Sequence, residues 1–137
     1  MIDEAAYREI LEEHARNPKF DDELLDFTHR AEYKSPQTGN ICKIKIKLDN
    51  EFIRGIGLKV EGSALANASA SLLAMETIDL SVSEVKTLLE TLLTLFREGE
   101  QVDLPGELCV YESIRKFPER YDCALLPWRA LSEALSI

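Results

Sequence analysis

Cysteine and histidine are scarce in this 137-residue chain. Its three cysteines are Cys42, Cys109 and Cys123, and its two histidines are His14 and His29. An odd number of widely spaced cysteines argues against a disulfide framework. There is no CxxC pair and no Cys/His cluster, so these residues alone make a poor metal-site inventory. No apolar run approaches the length of a bilayer span, and no transmembrane helix is expected. The opening Met1-Ile2-Asp3-Glu4 passes straight into a charged amphipathic pattern, which lacks the form of a signal peptide. A cytoplasmic location is therefore expected. Basic charge is also in deficit, with 16 Lys and Arg against 25 Asp and Glu and a net charge of −9. The candidates for a basic stripe are Lys43, Lys45 and Lys47, which alternate along one strand and read as its solvated face. Neither a nucleic-acid nor a membrane partner is expected, and the acidity favours basic partners.

What is present is an ordinary globular balance, 45% hydrophobic and 30% charged, in a length that fits one domain over residues 1–137. Residues 3–16 carry Tyr7, Ile10, Leu11 and His14 at helical spacing, and Asn17-Pro18 should stop that helix. Residues 41–48 alternate Cys42, Ile44, Ile46 and Leu48 with the lysines, the period of a half-buried strand. Asp49-Asn50-Glu51 turns the chain, and residues 52–60 return with Ile56, Leu58 and Val60 on one face. A weaker strand over 27–34 joins the second through the turn-forming segment Ser35-Pro36-Gln37-Thr38-Gly39-Asn40. Ser63 is placed to cap a helix running to about residue 78, rich in small residues that permit close packing. Ser81 to Glu84 has the form of a capping box before a stripe of Val85, Leu88, Leu89, Leu92, Leu93 and Phe96, which Gly99 closes. A short helix over 107–115 and a last helix from about 126 to 135 complete the chain, with Pro127 confined to the first turn. The expected fold is α+β, an antiparallel three-stranded sheet with helices packed on one face.

Five segments, in order, resemble the U-type iron–sulfur cluster scaffold family, which includes the IscU and SufU proteins and the N-terminal domain of NifU. Tyr7-Arg8-Glu9-Ile10 through His14 to Asn17-Pro18 is similar to the family's opening helix. Residues 35–40 match its N-P-x-C-G-D loop. Glu61-Gly62-Ser63-Ala64 with Ala68-Ser69-Ala70-Ser71 matches G-C followed by A-S-A-S. Lys116-Phe117-Pro118-Glu119-Arg120 is the fourth. Cys123-Ala124-Leu125-Leu126-Pro127-Trp128-Arg129-Ala130-Leu131 resembles C-A-x-L-x-W-x-A-L. The long stretch between Ser63 and Cys123 resembles the SufU-like branch more than the shorter IscU-like one.

The resemblance implies a site of three thiolates and an aspartate, the soft donors that hold zinc or a cluster and accept persulfide sulfur. Here those positions are Thr38, Asn40, Ser63 and Cys123, of which Cys123 alone keeps the ligand type. No cofactor is expected; zinc or an iron–sulfur cluster would be held only if the degenerate site still binds. Cys42 reads as a small buried hydrophobe and Cys109 as structural or incidental. His14 and Trp128 read as packing residues. Cys123, expected just before a helix whose dipole favours a thiolate, is the candidate sulfur acceptor, with Asp122 opposing. The leading reading is an accessory, regulatory or partner-binding protein of cluster assembly that docks a cysteine desulfurase or another assembly protein. A metal-free sulfurtransferase acting through Cys123, and a scaffold reused for an unrelated ligand or partner, are the alternatives.

Overall fold

A computed structural model describes residues 4–20 and 24–137. Helix α1 (Glu4–Arg16) is followed by strands β1 (His29–Lys34), β2 (Ile41–Asp49) and β3 (Phe52–Glu61). Helices α2 (Ala64–Thr77) and α3 (Val82–Glu98), a 3₁₀ helix (Gly106–Ser113), a 3₁₀ turn (Pro118–Arg120) and helix α4 (Tyr121–Leu135) complete the chain. The expected start at Asp3 lies outside the described residues.

The strands form an antiparallel sheet in the order β1-β2-β3. Alternation sets its two faces. Cys42, Ile44 and Ile46 are buried beneath the helices, and Lys43 opposite them is exposed. Asn50 and Glu51, both at positive φ, make the tight β2–β3 turn, the conformation a two-residue hairpin needs to follow the sheet's twist. A bulge between Lys47 and Leu48 shifts the register beside it.

Ser63 caps α2 as the sequence predicts, its Oγ accepting from the Ala66 amide at 3.1 Å. The helix is buried around most of its circumference, Ala66, Ala68, Ser69, Ala70, Leu72 and Leu73 all being at or near zero exposure. It packs against α1, α4, β3 and the 3₁₀ helix, so it is the axis of the core. The capping box at Ser81 and Glu84 is present in both directions, and Gly99 ends α3 in the left-handed conformation.

Three expectations need correction. The first strand begins at His29 rather than residue 27. The segment expected as a helix over 107–115 is 3₁₀ in form and ends at Ser113. The last helix starts at Tyr121, five residues earlier than expected, so Pro127 lies inside it and Cys123 sits in its first turn rather than before it. A proline there removes the helical donor for the Cys123 carbonyl, at a cost of about 3 kcal/mol in an isolated helix. Packing outweighs that cost. The Tyr121 ring stacks on Phe96 at 4.8 Å and its hydroxyl donates to the Arg115 carbonyl. Ala124, Leu126, Trp128, Ala130 and Leu131 are all buried.

Candidate functional site

Three pieces of chain converge beyond the end of the sheet: the loop of residues 35–40, the β3–α2 junction at Gly62-Ser63, and the first turn of α4. The loop is held shut by its own hydrogen bonds. Ser35 N–H donates to the Asn40 carbonyl at 2.8 Å, and Gly39 N–H donates to the Ser35 carbonyl at 2.9 Å. Ser35 Oγ accepts from the amides of Gln37 and Thr38, each at 3.2 Å. Gly39 stands at φ +77°, which an L side chain rarely adopts, so the glycine is required for closure.

Asp122 ties the loop to α4. Its Oδ2 accepts from Ser35 Oγ at 2.6 Å and from Thr38 Oγ1 at 3.2 Å. The adjacent Cys123 accepts at Sγ from Asn40 Nδ2 at 3.7 Å. Asn40 in turn lies against Gly62, where an added Cβ would stand 3.0 Å from Asn40 Cγ; the junction can approach this closely because residue 62 has no side chain. Thus Thr38 and Asn40 touch the Asp122-Cys123 pair, and Ser63 follows the glycine on which Asn40 packs. Ser63 Oγ itself is engaged in capping α2.

The site's chemistry is one thiol, one carboxylate and neutral oxygen and amide groups that hydrogen-bond to one another. Cys123 is half-buried. Among the described residues, no group of three or more His, Cys, Asp or Glu side chains is placed to hold a metal ion. The other cysteines lie elsewhere. Cys42 is fully buried under the sheet, and burial pushes its thiol up to about 12. Cys109 sits on the 3₁₀ helix beside Tyr7, Val102 and Leu104; burial, with help from Glu107 and Glu76, raises its thiol above the usual range.

Ser35 and Asp122 are the members that sequence reasoning missed in these roles. In the sequence Ser35 reads only as part of a turn, and Asp122 only as a charge opposing a thiolate. A serine that opens a proline-containing turn is a known local cap, but its long-range partner carries no sequence signal.

His14 is buried, as its helical position implies, and also wired. Nε2 lies 2.9 Å from Glu107 Oε1 and so carries the proton, and Nδ1 lies 2.6 Å from Ser71 Oγ. Ser71 also accepts from the Lys19 amide at 2.7 Å. Trp128 is buried, and its Nε1 donates to Tyr111 Oη at 2.8 Å. Tyr111 donates onward to Ser69 Oγ, and Ser69 donates to the Ala124 carbonyl. The two serines of the small-residue run are thus hydrogen-bonding hubs as well as close-packing positions.

The model of the NifU-like N-terminal domain matches residues 6–136. The chain is 29% identical over 138 residues to the iron–sulfur cluster assembly scaffold protein IscU of Thermotoga maritima, covering 98% of this chain and 96% of that protein. It is 25% identical over 134 residues to the zinc-dependent sulfurtransferase SufU of Bacillus subtilis, covering 95% and 89%. Its fold superposes on the N-terminal NifU-like protein of Brucella abortus with a TM-score of 0.85 at 20% identity, covering 95% and 92%. With the family model matched across almost its whole length, the chain belongs to the NifU-like N-terminal domain family, whose members include iron–sulfur cluster assembly scaffolds.

Proposed function

We propose that this protein is a SufU-branch member that has lost most of its metal ligands. It serves iron–sulfur cluster assembly in the cytoplasm as an accessory, regulatory or partner-binding protein, docking a cysteine desulfurase or another assembly protein. The observation that carries the reading is the state of the four site positions. Their backbones converge, while Thr38, Asn40 and Ser63 supply neutral groups that are already engaged with Asp122, Cys123 and the α2 amide. Zinc favours four ligands drawn mostly from thiolate and imidazole, and clusters favour thiolates. One thiol, one carboxylate and neutral oxygens do not fit either. The long segment between Ser63 and Cys123 supports placement in the SufU branch.

A second reading has one observation in its favour. Cys123 has an amide donor aimed at its sulfur and sits in the first turn of α4, an arrangement suited to a persulfide. In that reading the Cys123 thiolate attacks the terminal sulfur of a desulfurase cysteine persulfide. A Cys123 S–S bond forms, the donor S–S bond breaks, and the desulfurase cysteine leaves as thiolate, with no external oxidant or reductant.

One experiment separates the two. The protein is titrated into a cysteine desulfurase by calorimetry, then incubated with desulfurase and L-cysteine and analysed by intact mass. The leading reading expects saturable binding with no sulfur gain. Sulfur gain that is lost in Cys123→Ser selects the second reading, and absence of binding contradicts the first.

A further inference from the structure

The open face of the sheet is rich in cations on an acidic chain. It carries Arg30, Glu32 and Lys34 from β1, Lys43, Lys45 and Lys47 from β2, and Lys59 and Glu61 from β3. Six of these eight side chains are basic, on a protein of net charge −9. A solvated face would be expected to mix its charges so that strands attract. The register here does so only in part: Glu32 stands directly opposite Lys43, but two pairs are like-charged. Arg30 stands directly opposite Lys45, and Lys43 directly opposite Lys59. Side chains at such positions are roughly 5 Å apart at Cβ, and like charges there destabilise the sheet. Among the described residues, Arg30, Lys34, Lys43 and Lys59 make no ion pair through their side chains. The fold therefore tolerates two like-charged cross-strand pairs, with Glu32 opposite Lys43 as the nearest carboxylate in the register.

One end of this face already carries a cover. Residues 24–28 cross it there: Leu24 lies 3.2 Å from the position a Cβ on Gly55 would take, and the Lys45 ammonium lies 5.1 Å from the Phe27 ring centroid. Asp26 pairs with Lys47 at 3.2 Å. Within its own chain the face thus holds a segment by a carboxylate on one lysine and an aromatic ring under the next. The remainder includes a shallow depression lined by Arg30, Glu32, Lys43 and Lys45, whose basic side chains make no ion pair beyond the one between Asp26 and Lys47 at its edge, among the described residues.

We propose that the part of this face centred on Arg30, Lys43 and Lys59, with Lys45 at its edge beside Phe27, is a docking surface for an acidic polypeptide segment of a partner protein. Charge complementarity commits the occupant to carboxylates. Glu32 and Glu61 stand among the cations, and the rest of the chain is acidic. A nucleic acid, charged at every phosphate, would run from the patch onto like charge, whereas a polypeptide can place a cation opposite Glu32 and end where the patch ends. The surface is separate from Cys123, although Lys34 leads directly into the loop of residues 35–40. Its occupancy does not depend on whether that site carries sulfur.

The test is a titration with a short fluorescein-labelled poly-L-glutamate at low salt, with amide shifts mapped on the full chain. Shifts confined to β1–β3, and affinity that falls steeply with salt, are expected. Lys59→Glu should weaken binding about tenfold or more. The same change places a carboxylate opposite Lys43, so its melting temperature should hold or rise, which separates lost binding from lost folding. Lys86→Glu, exposed on α3, should bind as the parent does. Equal binding by Lys59→Glu, shifts mapping away from the sheet, or no binding at low salt would overturn the proposal. Tighter binding of an oligodeoxythymidylate of equal charge would also overturn it, assigning the face to nucleic acid instead.

Discussion

Asp122 is the side chain on which the loop of residues 35–40 hangs. It accepts from a fully buried serine and from Thr38, so Asp122→Ala leaves the Ser35 hydroxyl without its acceptor. A lost bond of this kind costs about 1–3 kcal/mol, which urea unfolding at neutral pH should show as a lower midpoint with an unchanged slope. The cysteines make a second prediction. Burial raises the Cys42 thiol from its usual 9.0 to about 12, and raises the Tyr111 phenol from 10.0 to about 12. Both groups keep their protons in the fold at a pH where the unfolded chain has lost them. The unfolded state therefore binds fewer protons between about 9 and 12, and stability falls as pH rises through that window. Stability should be insensitive to these two groups below pH 9. Cys42→Ala should remove part of the alkaline loss in a series of denaturant midpoints against pH. At neutral pH, iodoacetamide should leave Cys42 unmodified until the protein unfolds.

The helices show how much the sequence could and could not disclose. The alternation from Cys42 to Leu48, the Ser63 cap and the Ser81–Glu84 box are local signals, and each of those elements forms within a residue or so of its expected ends. The start of α4 is not legible because the rule for proline is local, while Tyr121 and Ala124 are held in helix by Phe96 and Ser69, distant in sequence, and by the Arg115 carbonyl six residues away. The Ala/Ser run in α2 was legible as close packing, but its hydroxyls' partners were not. Ser69 joins Tyr111 to the Ala124 carbonyl three residues before Pro127. Ser69→Ala should therefore cost about 1–3 kcal/mol despite adding no bulk, because it strands a buried phenol and carbonyl. Ser83→Ala, exposed on α3, is the control, and thermal unfolding of the two variants should differ in the stated direction.

At the scale of the molecule, the order of five short segments was enough to anticipate a three-stranded sheet covered by helices and the scaffold family to which the chain belongs. The same segments pointed to Thr38, Asn40, Ser63 and Cys123. The fold adds that these positions share one region and that Asp122 and Ser35 lock it, through partners 87 residues apart. Restoring Thr38→Cys, Asn40→Asp and Ser63→Cys together would supply three thiolates and a carboxylate, a closed zinc set. Ser63→Cys also removes the α2 cap, so without metal the triple variant should be less stable by about 1 kcal/mol. The most direct measurement is a zinc titration of melting temperature, run in parallel on the parent and the triple variant. The account predicts a parent that does not respond and a triple variant whose melting temperature rises with added zinc. A parent that binds about one zinc per chain and loses it on Cys123→Ser, or a folded triple variant that ignores zinc, would contradict it.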